Sequence, residues 1–249
     1  MSWKRGPGVE ARPRKLNSRR FAVEVRVSRR QGQFLVDVDF AGASSGVTAL
    51  YGPSGAGKSS VIGMIAGLAR PDSGLVVVGG RVLFDSARGI DLPPEKRRLG
   101  CVFQDGRLFP HLSVRSNLYY GMKLVAPAER RIPPEQVIAL LGIEHLLDRS
   151  PKNLSGGEKQ RVAVGRALLI SPAALLMDEP LASLDPARKD ELIPYIARIG
   201  REFAMPVLYV SHSLTEIRRL TDTVVFLRNG RVERSGHPAP LLRPLLSVS

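Results

Sequence analysis

The sequence predicts an α/β fold, a largely parallel sheet with helices on both faces, with an N-terminal antiparallel β subdomain and an inserted helical subdomain. Three observations predict it. Short apolar runs alternate with longer helical stretches, as crossover connections require. Some of those runs are apolar on both faces, like strands buried within a parallel sheet. The 249 residues, 43% hydrophobic and 24% charged, fit one α/β domain with a small insertion and exclude wholesale disorder.

Residues 1–20 read as a basic flexible tail, broken by Pro7 and Pro13 and without periodicity. Residues 1–30 hold ten Lys/Arg and two acids, a net +8 of the chain's +14, which leaves +6 for the remainder. Such a run reads either as a contact for nucleic acid or an anionic membrane or as a solvated extension. No ladder of aromatics interleaves it, which favours the solvated extension.

From Phe21 alternation begins. Phe21, Val23, Val25 and Val27 define one face of a strand, and Phe34, Val36, Val38 and Phe40 that of a second. GVTALYG (46–52) is apolar on both faces and runs into a glycine-rich turn, then a helix, SSVIGMIAGLA (59–69), broken at 71–74. LVVVGGRVLF (75–84) reads as a strand pair and LGCVFQ (99–104) as a short strand. Residues 111–150 are helical and more polar, interrupted by Pro127, Pro133 and Pro134, and place a helical subdomain over about 105–165. EKQRVAVGRALLI (158–170) is an amphipathic helix, and AALLMDEP (173–180) a strand ending in two acids. A helix over 186–203, bent at Pro194, precedes the strand MPVLYVSH (205–212) and the helix LTEIRRLT. TVVFLRNGRVERSG reads as a hairpin turning at Asn229–Gly230. The folded domain is expected over 21–240, with a C-terminal tail at 241–249. No apolar run reaches the roughly 18–20 residues that cross a bilayer. The N-terminus lacks the apolar core of a secretory signal, and the single Cys101 excludes an internal disulfide.

Gly52-Pro53-Ser54-Gly55-Ala56-Gly57-Lys58-Ser59 fits G-x-x-x-x-G-K-[ST], with a strand before it and a helix after it, the context that a phosphate-binding loop needs. Its backbone N–H groups, through Ser60, form an anion nest on a helix N-terminus. Lys58 can reach the β- and γ-phosphates, and the Ser59 hydroxyl can ligate Mg²⁺. A P-loop NTPase core follows. The strand tip at 178–179 offers Asp178 to hold Mg²⁺ and Glu179 to polarise a water as general base. Alone, such a pair is as readily the start of a helix. Leu154-Ser155-Gly156-Gly157-Glu158 opens another helix and makes a second anion site. One nucleotide needs only one nest, so Ser155, Gly156 and Gly157 are expected to close on the nucleotide of another copy.

With that third motif the chain resembles the ATP-binding-cassette ATPases over roughly residues 21–236. GPSGAGKS (52–59), Gln104 in VFQ, LSGGEKQR (154–161), ALLMDEP (174–180), ASLD (182–185) and His212 in VSH stand in the family's order. The resemblance implies an enzyme that hydrolyses ATP with Mg²⁺ as a homodimer. It makes Gln104 a sensor of Mg²⁺ and the γ-phosphate, and Ser155, Gly156 and Gly157 ligands of the opposite subunit's γ-phosphate. Asp185 would couple the two sites. His212 would contact the γ-phosphate and hold Glu179 and water in line; by itself a histidine at a strand end reads as a satisfied core residue. The aromatic residue that the family stacks on adenine has no direct counterpart in Ser28-Arg29-Arg30-Gln31-Gly32-Gln33-Phe34, where an arginine or Phe34 is left to make that contact.

Residues 83–121, 142–169 and 177–199 further resemble the ATPase of bacterial molybdate importers, most distinctively in LPPEKRR and VFQDGRLFPHLSV. That implies a peripheral subunit on the cytoplasmic face of the inner membrane. Its partners would be integral-membrane permease subunits and, indirectly, a solute-binding protein; its solute would be molybdate or a related oxyanion such as tungstate or sulfate. Phe109-Pro110-His111-Leu112 would then receive a permease helix, unless it packs the subdomain alone. These ATPases commonly carry a C-terminal oxyanion-binding domain, and a short form without it is expected. The alternative is a soluble cassette ATPase acting on nucleic acid or ribosomes. A long coiled coil or a second cassette would mark it, neither is present, and no nucleic-acid partner is expected. A plain P-loop kinase would leave LSGGE and His212 without a task.

Overall fold

The structure, a computed structural model, describes residues 21–241. The tails expected at 1–20 and 241–249 lie, Leu241 apart, outside the described residues. The first two strands, β1 (Phe21–Gln31) and β2 (Phe34–Ala43), pair antiparallel. Val23, Val25, Val27, Val36, Val38 and Phe40 are all buried, so the alternation holds on both, the Phe21 side chain not being among those described. The third strand, β3 (Gly46–Tyr51), leads into the glycine-rich turn and helix α1 (Lys58–Ala66). The pair expected at 75–84 is β4 (Ser73–Val78) and β5 (Arg81–Asp85), followed by β6 (Ile90–Asp91), the single-turn α2 (Pro94–Arg97) and β7 (Leu99–Phe103).

Residues 111–150 form several short pieces. They hold α3 (Val114–Met122) and α4 (Pro134–Leu141), with 3₁₀ turns at Pro127–Glu129 and Glu144–Leu146. Pro127 and Pro134 each open an element, where a missing N–H costs nothing. Next come α5 (Gly156–Leu168), β8 (Ala174–Asp178), α6 (Pro186–Glu202), β9 (Pro206–Ser211) and α7 (Leu214–Leu220). The chain continues through Pro194 within α6. The hairpin β10 (Thr223–Arg228) and β11 (Arg231–Gly236) turns at Asn229–Gly230, both with positive φ (49° and 76°), as a tight two-residue turn demands.

Among the described residues, all eleven strands join one sheet in the order β6-β5-β4-β1-β2-β11-β10-β3-β9-β8-β7. Only β10-β3-β9-β8-β7 is a continuous parallel run. The remaining pairs are antiparallel, hairpin partners except for β1 with β4, apart from a single parallel register pair, Arg231 with Asp37, that joins β11 to β2. The parallel strands carry two cores. Along β8, Leu175 and Met177 face one cluster with the helices α3 to α7, while Ala174 and Leu176 face the other with α1 and the antiparallel strands. Strands buried on both faces therefore read as unbroken apolar runs. Among the described residues no helix is long and apolar enough to cross a membrane.

Helix α1 ends at Ala66, earlier than its apolar pattern, which continues to residue 69. The N–H groups of Leu68 and Ala69 turn back to Gly63 O, and the last carbonyls find a partner from elsewhere in the chain. Arg97, 1% exposed, donates from Nη1 to Met64 O (2.7 Å) and Ile65 O (2.9 Å) and from Nε to Leu92 O. Its Nη2 stands 3.0 Å from Asp91 Oδ1. A cation at a helix C-terminus complements the dipole as well as the orphan carbonyls. Arg97→Met is expected to strip these partners and cost about 2–4 kcal/mol of unfolding free energy, read as a lower urea midpoint at unchanged m-value.

Candidate active site

The parallel register brings three strand tips together. Tyr51 lies opposite Ser211 and Asp178 opposite Val210, so the segments after β3, β8 and β9 leave the sheet side by side at its C-terminal edge. The loop 52–57 wraps there with Gly55 and Gly57 at φ 77° and 98°, where a side chain would strain the backbone. A Cβ on Gly52 would fall 2.1 Å from Leu227 O, so the loop rests directly on β10. The hairpin turn braces it again, Gly230 N–H donating to Ala56 O (3.1 Å).

Lys58 is the first residue of α1, and its Nζ donates to Gly52 O and Pro53 O, each at 2.9 Å. Burial pushes its pKa down, against the pull of Glu179 and Asp178. Ser59 Oγ donates to Asp178 Oδ1 at 3.0 Å. Burial, with the Glu179 charge beside it, pushes the Asp178 carboxyl up despite that hydrogen bond. Ser59, Gln104, Asp178 and Glu179 line one cavity of about 580 Å³, and Ser54, Gly55, Gly57, Lys58, Ser59, Ser60 and Glu179 line a neighbouring one of about 310 Å³. Ser59 Oγ, the Gln104 amide and the Asp178 carboxylate are a hard oxygen donor set, which suits Mg²⁺.

Glu179 has positive φ (47°), a strained conformation for a side-chain-bearing residue. Hydrogen bonds on both sides hold it: its N–H donates to Val210 O (3.1 Å) and its carbonyl accepts from Ala182 N–H (3.2 Å). His212 Nδ1 stands 3.2 Å from Glu179 Oε2, with the imidazole 59% exposed and the carboxylate 26%. His212 is thus a surface residue at a strand tip, facing an acid rather than a core. Phe34, expected toward the core, packs against it only in part; it also lines the 310 Å³ cavity together with Gln31.

Ser155, Gly156 and Gly157 line neither of these cavities. Ser155 caps α5 in a reciprocal box: its Oγ accepts from Glu158 N–H (3.2 Å), and its own N–H donates to Glu158 Oε2 (2.7 Å). That backbone bond holds the Glu158 carboxyl below its usual range. The first-turn N–H groups at 156 and 157 have no partner within the helix, as at any helix start. Asp185 caps α6 by accepting from Arg188 N–H (3.1 Å).

The 109–112 segment is clamped from behind. Asn117, fully buried, accepts from Phe109 N–H and donates to Phe109 O, Leu112 O and Ser113 O. The Phe109 ring lies 4.5 Å from Tyr120 and 5.0 Å from the Arg166 guanidinium. Tyr120 and Leu124 remain 50% and 82% exposed. Glu216 and Arg97 were not singled out from sequence, where each reads as one charge on a polar helix face.

The sequence pattern of the family described as "ABC transporter" matches residues 35–182. The chain is 60% identical over 228 residues to the molybdenum import ATP-binding protein ModC of Paramagnetospirillum magneticum, covering 90% of this chain and 62% of that one. It is 61% identical to the protein of the same name from Rhodospirillum rubrum, covering 86% and 58%. The chain thus spans about three fifths of the length of these curated relatives. Among solved structures, cbiO1 of Clostridium perfringens, part of the cbiONQ ABC transporter complex, superposes with a TM-score of 0.78 at 24% identity, covering 92% and 93%. A dimeric ATP-binding cassette in a post-hydrolysis state with ADP and Pi superposes at 0.70 and 25%, covering 87% and 98%.

Burial of Asp178 makes the stability of the fold depend on pH. A carboxyl harder to ionise in the fold than in the unfolded chain costs stability once pH exceeds its folded value and costs none below the unfolded value of 3.8. Asp178→Asn is therefore expected to stabilise the fold at pH 7, by less than about 1 kcal/mol because the group is only half buried. Paired melting curves at pH 7 and pH 3.5 should show the gain only at the higher pH.

Proposed function

The chain belongs to the ABC transporter family, and from that premise we propose that it is the ATP-hydrolysing subunit of a membrane importer for molybdate or a related oxyanion. The observation that carries the reading is the convergence at one sheet edge of the phosphate loop, the Ser59–Asp178 bond and the Glu179–His212 pair. The names of the relatives support the oxyanion.

In this reading the loop 52–60 cradles the triphosphate of ATP, with backbone N–H groups on its oxygens and Lys58 exchanging its carbonyl contacts for the β- and γ-phosphates. Ser59, Gln104 and Asp178 would hold Mg²⁺, which neutralises charge on those phosphates when bound. Glu179 accepts a proton from the attacking water, and His212 keeps that carboxylate aimed at the γ-phosphate. Burial raises the Asp178 pKa and lowers that of Lys58, so charge on both groups is less screened than in water.

Ser155, Gly156 and Gly157 complete the site from a second copy: they open α5 as a separate anion nest and line neither of the two cavities at the phosphate loop. The γ-phosphate then ties two subunits together, and its hydrolysis releases them. The homodimer sits on the cytoplasmic face of the inner membrane, peripheral to permease subunits that a solute-binding protein supplies. The segment 109–112, fixed by Asn117 and stacked at Phe109 on the half-exposed Tyr120, suits a docking surface for the permease.

Glu179→Gln should retain ATP binding, lower turnover by about 10²–10⁴-fold and accumulate a dimer by size-exclusion chromatography with ATP. Wild-type turnover in that variant overturns the general-base assignment, and full activity of a strict monomer overturns the shared site. Copurification with the permease, followed by solute-stimulated ATPase assays with molybdate, tungstate and sulfate, tests the transport reading and separates the oxyanions.

A further inference from the structure

Strand β9 lies inside the sheet between β3 and β8, and its ladder stops at Ser211. His212 is therefore the first residue beyond the last strand pair, and ladder hydrogen bonds do not set its direction. Side-chain bonds do. Ser211 Oγ donates to Glu216 Oε2 at 2.8 Å and accepts from Ser213 N–H at 3.0 Å. The hydroxyl has one proton, spent on Glu216, which leaves a lone pair for the amide two residues on. The backbone on either side of His212 is thus stapled through one oxygen.

Glu216, 4% exposed, gathers three donors on one carboxylate. Oε2 takes Tyr209 Oη and Ser211 Oγ, both at 2.8 Å, and Oε1 takes Lys189 Nζ at 3.0 Å. Tyr209 and Ser211 share one side of β9 by strand alternation, the side from which both reach Glu216 of α7. Burial and the Glu216 charge hold the Tyr209 hydroxyl well above its usual pKa, so it stays a donor. Lys189 stands one turn into α6, the helix that Asp185 caps, and its N–H donates to Asp185 O at 3.0 Å. A buried carboxylate with three charge-assisted bonds is a stiff anchor, because a lysine balances its charge and two hydroxyls fix its orientation.

We infer that Glu216 is a positioning residue for hydrolysis: acting through Ser211, it fixes His212 against Glu179 and ties that pair to the Asp185 end of α6. The inference rests on the proposed ATP hydrolysis for its kinetic consequence and on geometry alone for its structural one. Neither Glu216 nor Ser211 lines the cavities at the phosphate loop, so their loss should spare nucleotide binding.

The test compares Glu216→Gln, Ser211→Ala and Ser211→Thr in the full chain, with ATP turnover, KM and the ring resonances of His212 as readouts. The resonances come from histidine-labelled protein and are assigned with His212→Ala. Glu216→Gln and Ser211→Ala should each lower kcat at least tenfold with KM within about twofold, and both should move the His212 resonances. Ser211→Thr, which restores the hydroxyl, should recover both readouts. In a His212→Ala background neither variant should reduce turnover more than about twofold further, since the path is already cut. Ser211→Ala keeps Glu216 paired with Lys189 and Tyr209, so it serves if Glu216→Gln folds poorly. Unmoved His212 resonances in Ser211→Ala overturn the inference, as does a full multiplicative loss in the His212→Ala background. Moved resonances in a chain that never hydrolyses ATP uphold the positioning and defeat the proposed function instead.

Discussion

The parallel pairing of β3, β9 and β8 is the constraint on which the rest of the molecule depends. Parallel neighbours end at the same edge, so three segments from different parts of the chain emerge beside one another without any loop having to reach. Residues 52–59, 178–179 and 212 are brought together by register rather than by mutual attraction, since Lys58 and Asp178 are charges that the fold partly desolvates. Two apolar cores, one on each face of the same strands, hold that register. A one-residue slip would exchange the two faces and carry every tip residue away from its partner.

Much of this was legible because the signals are local. The strand–loop–helix around Gly52–Ser59 is specified by its own glycines, lysine and flanking periodicity, and β8 by four apolar residues before two acids. The turn at Asn229–Gly230 follows from backbone geometry alone. What escaped was non-local. Phe34 reads as the inward face of an alternating strand, yet it divides its surface between core and cavity because β2 begins beside Gly57 of the phosphate loop. The 111–150 region has helical composition, but its prolines cut it into single turns and short helices. The antiparallel strands give no cue that they extend the same sheet through one register pair, Arg231 with Asp37. Glu179 carries no sign in sequence of its left-handed backbone, which neighbouring strand and turn bonds impose.

Three buried charges show how the fold treats polar groups away from solvent. Lys58 has backbone carbonyls, Arg97 has carbonyls and Asp91, and Glu216 has two hydroxyls and a lysine. Each is satisfied by several partners of fixed geometry, which is the condition under which a buried charge specifies structure instead of merely costing stability. Asp178 is the exception, with one serine and a carboxylate neighbour, and it lies where a cation is chemically welcome.

Arg97 touches no part of the site, yet its position bears on how that site meets a ligand. Helix α1 is nine residues, roughly 14 Å long, with the loop nest at its head and a permanent cation sealed against its tail. An anion arriving at the head completes a row of charge, helix dipole and countercharge aligned along a single axis. The affinity of the nest is in that sense prepared from the far end: the guanidinium quiets the negative pole, so the positive pole faces its guest without competition from its own tail.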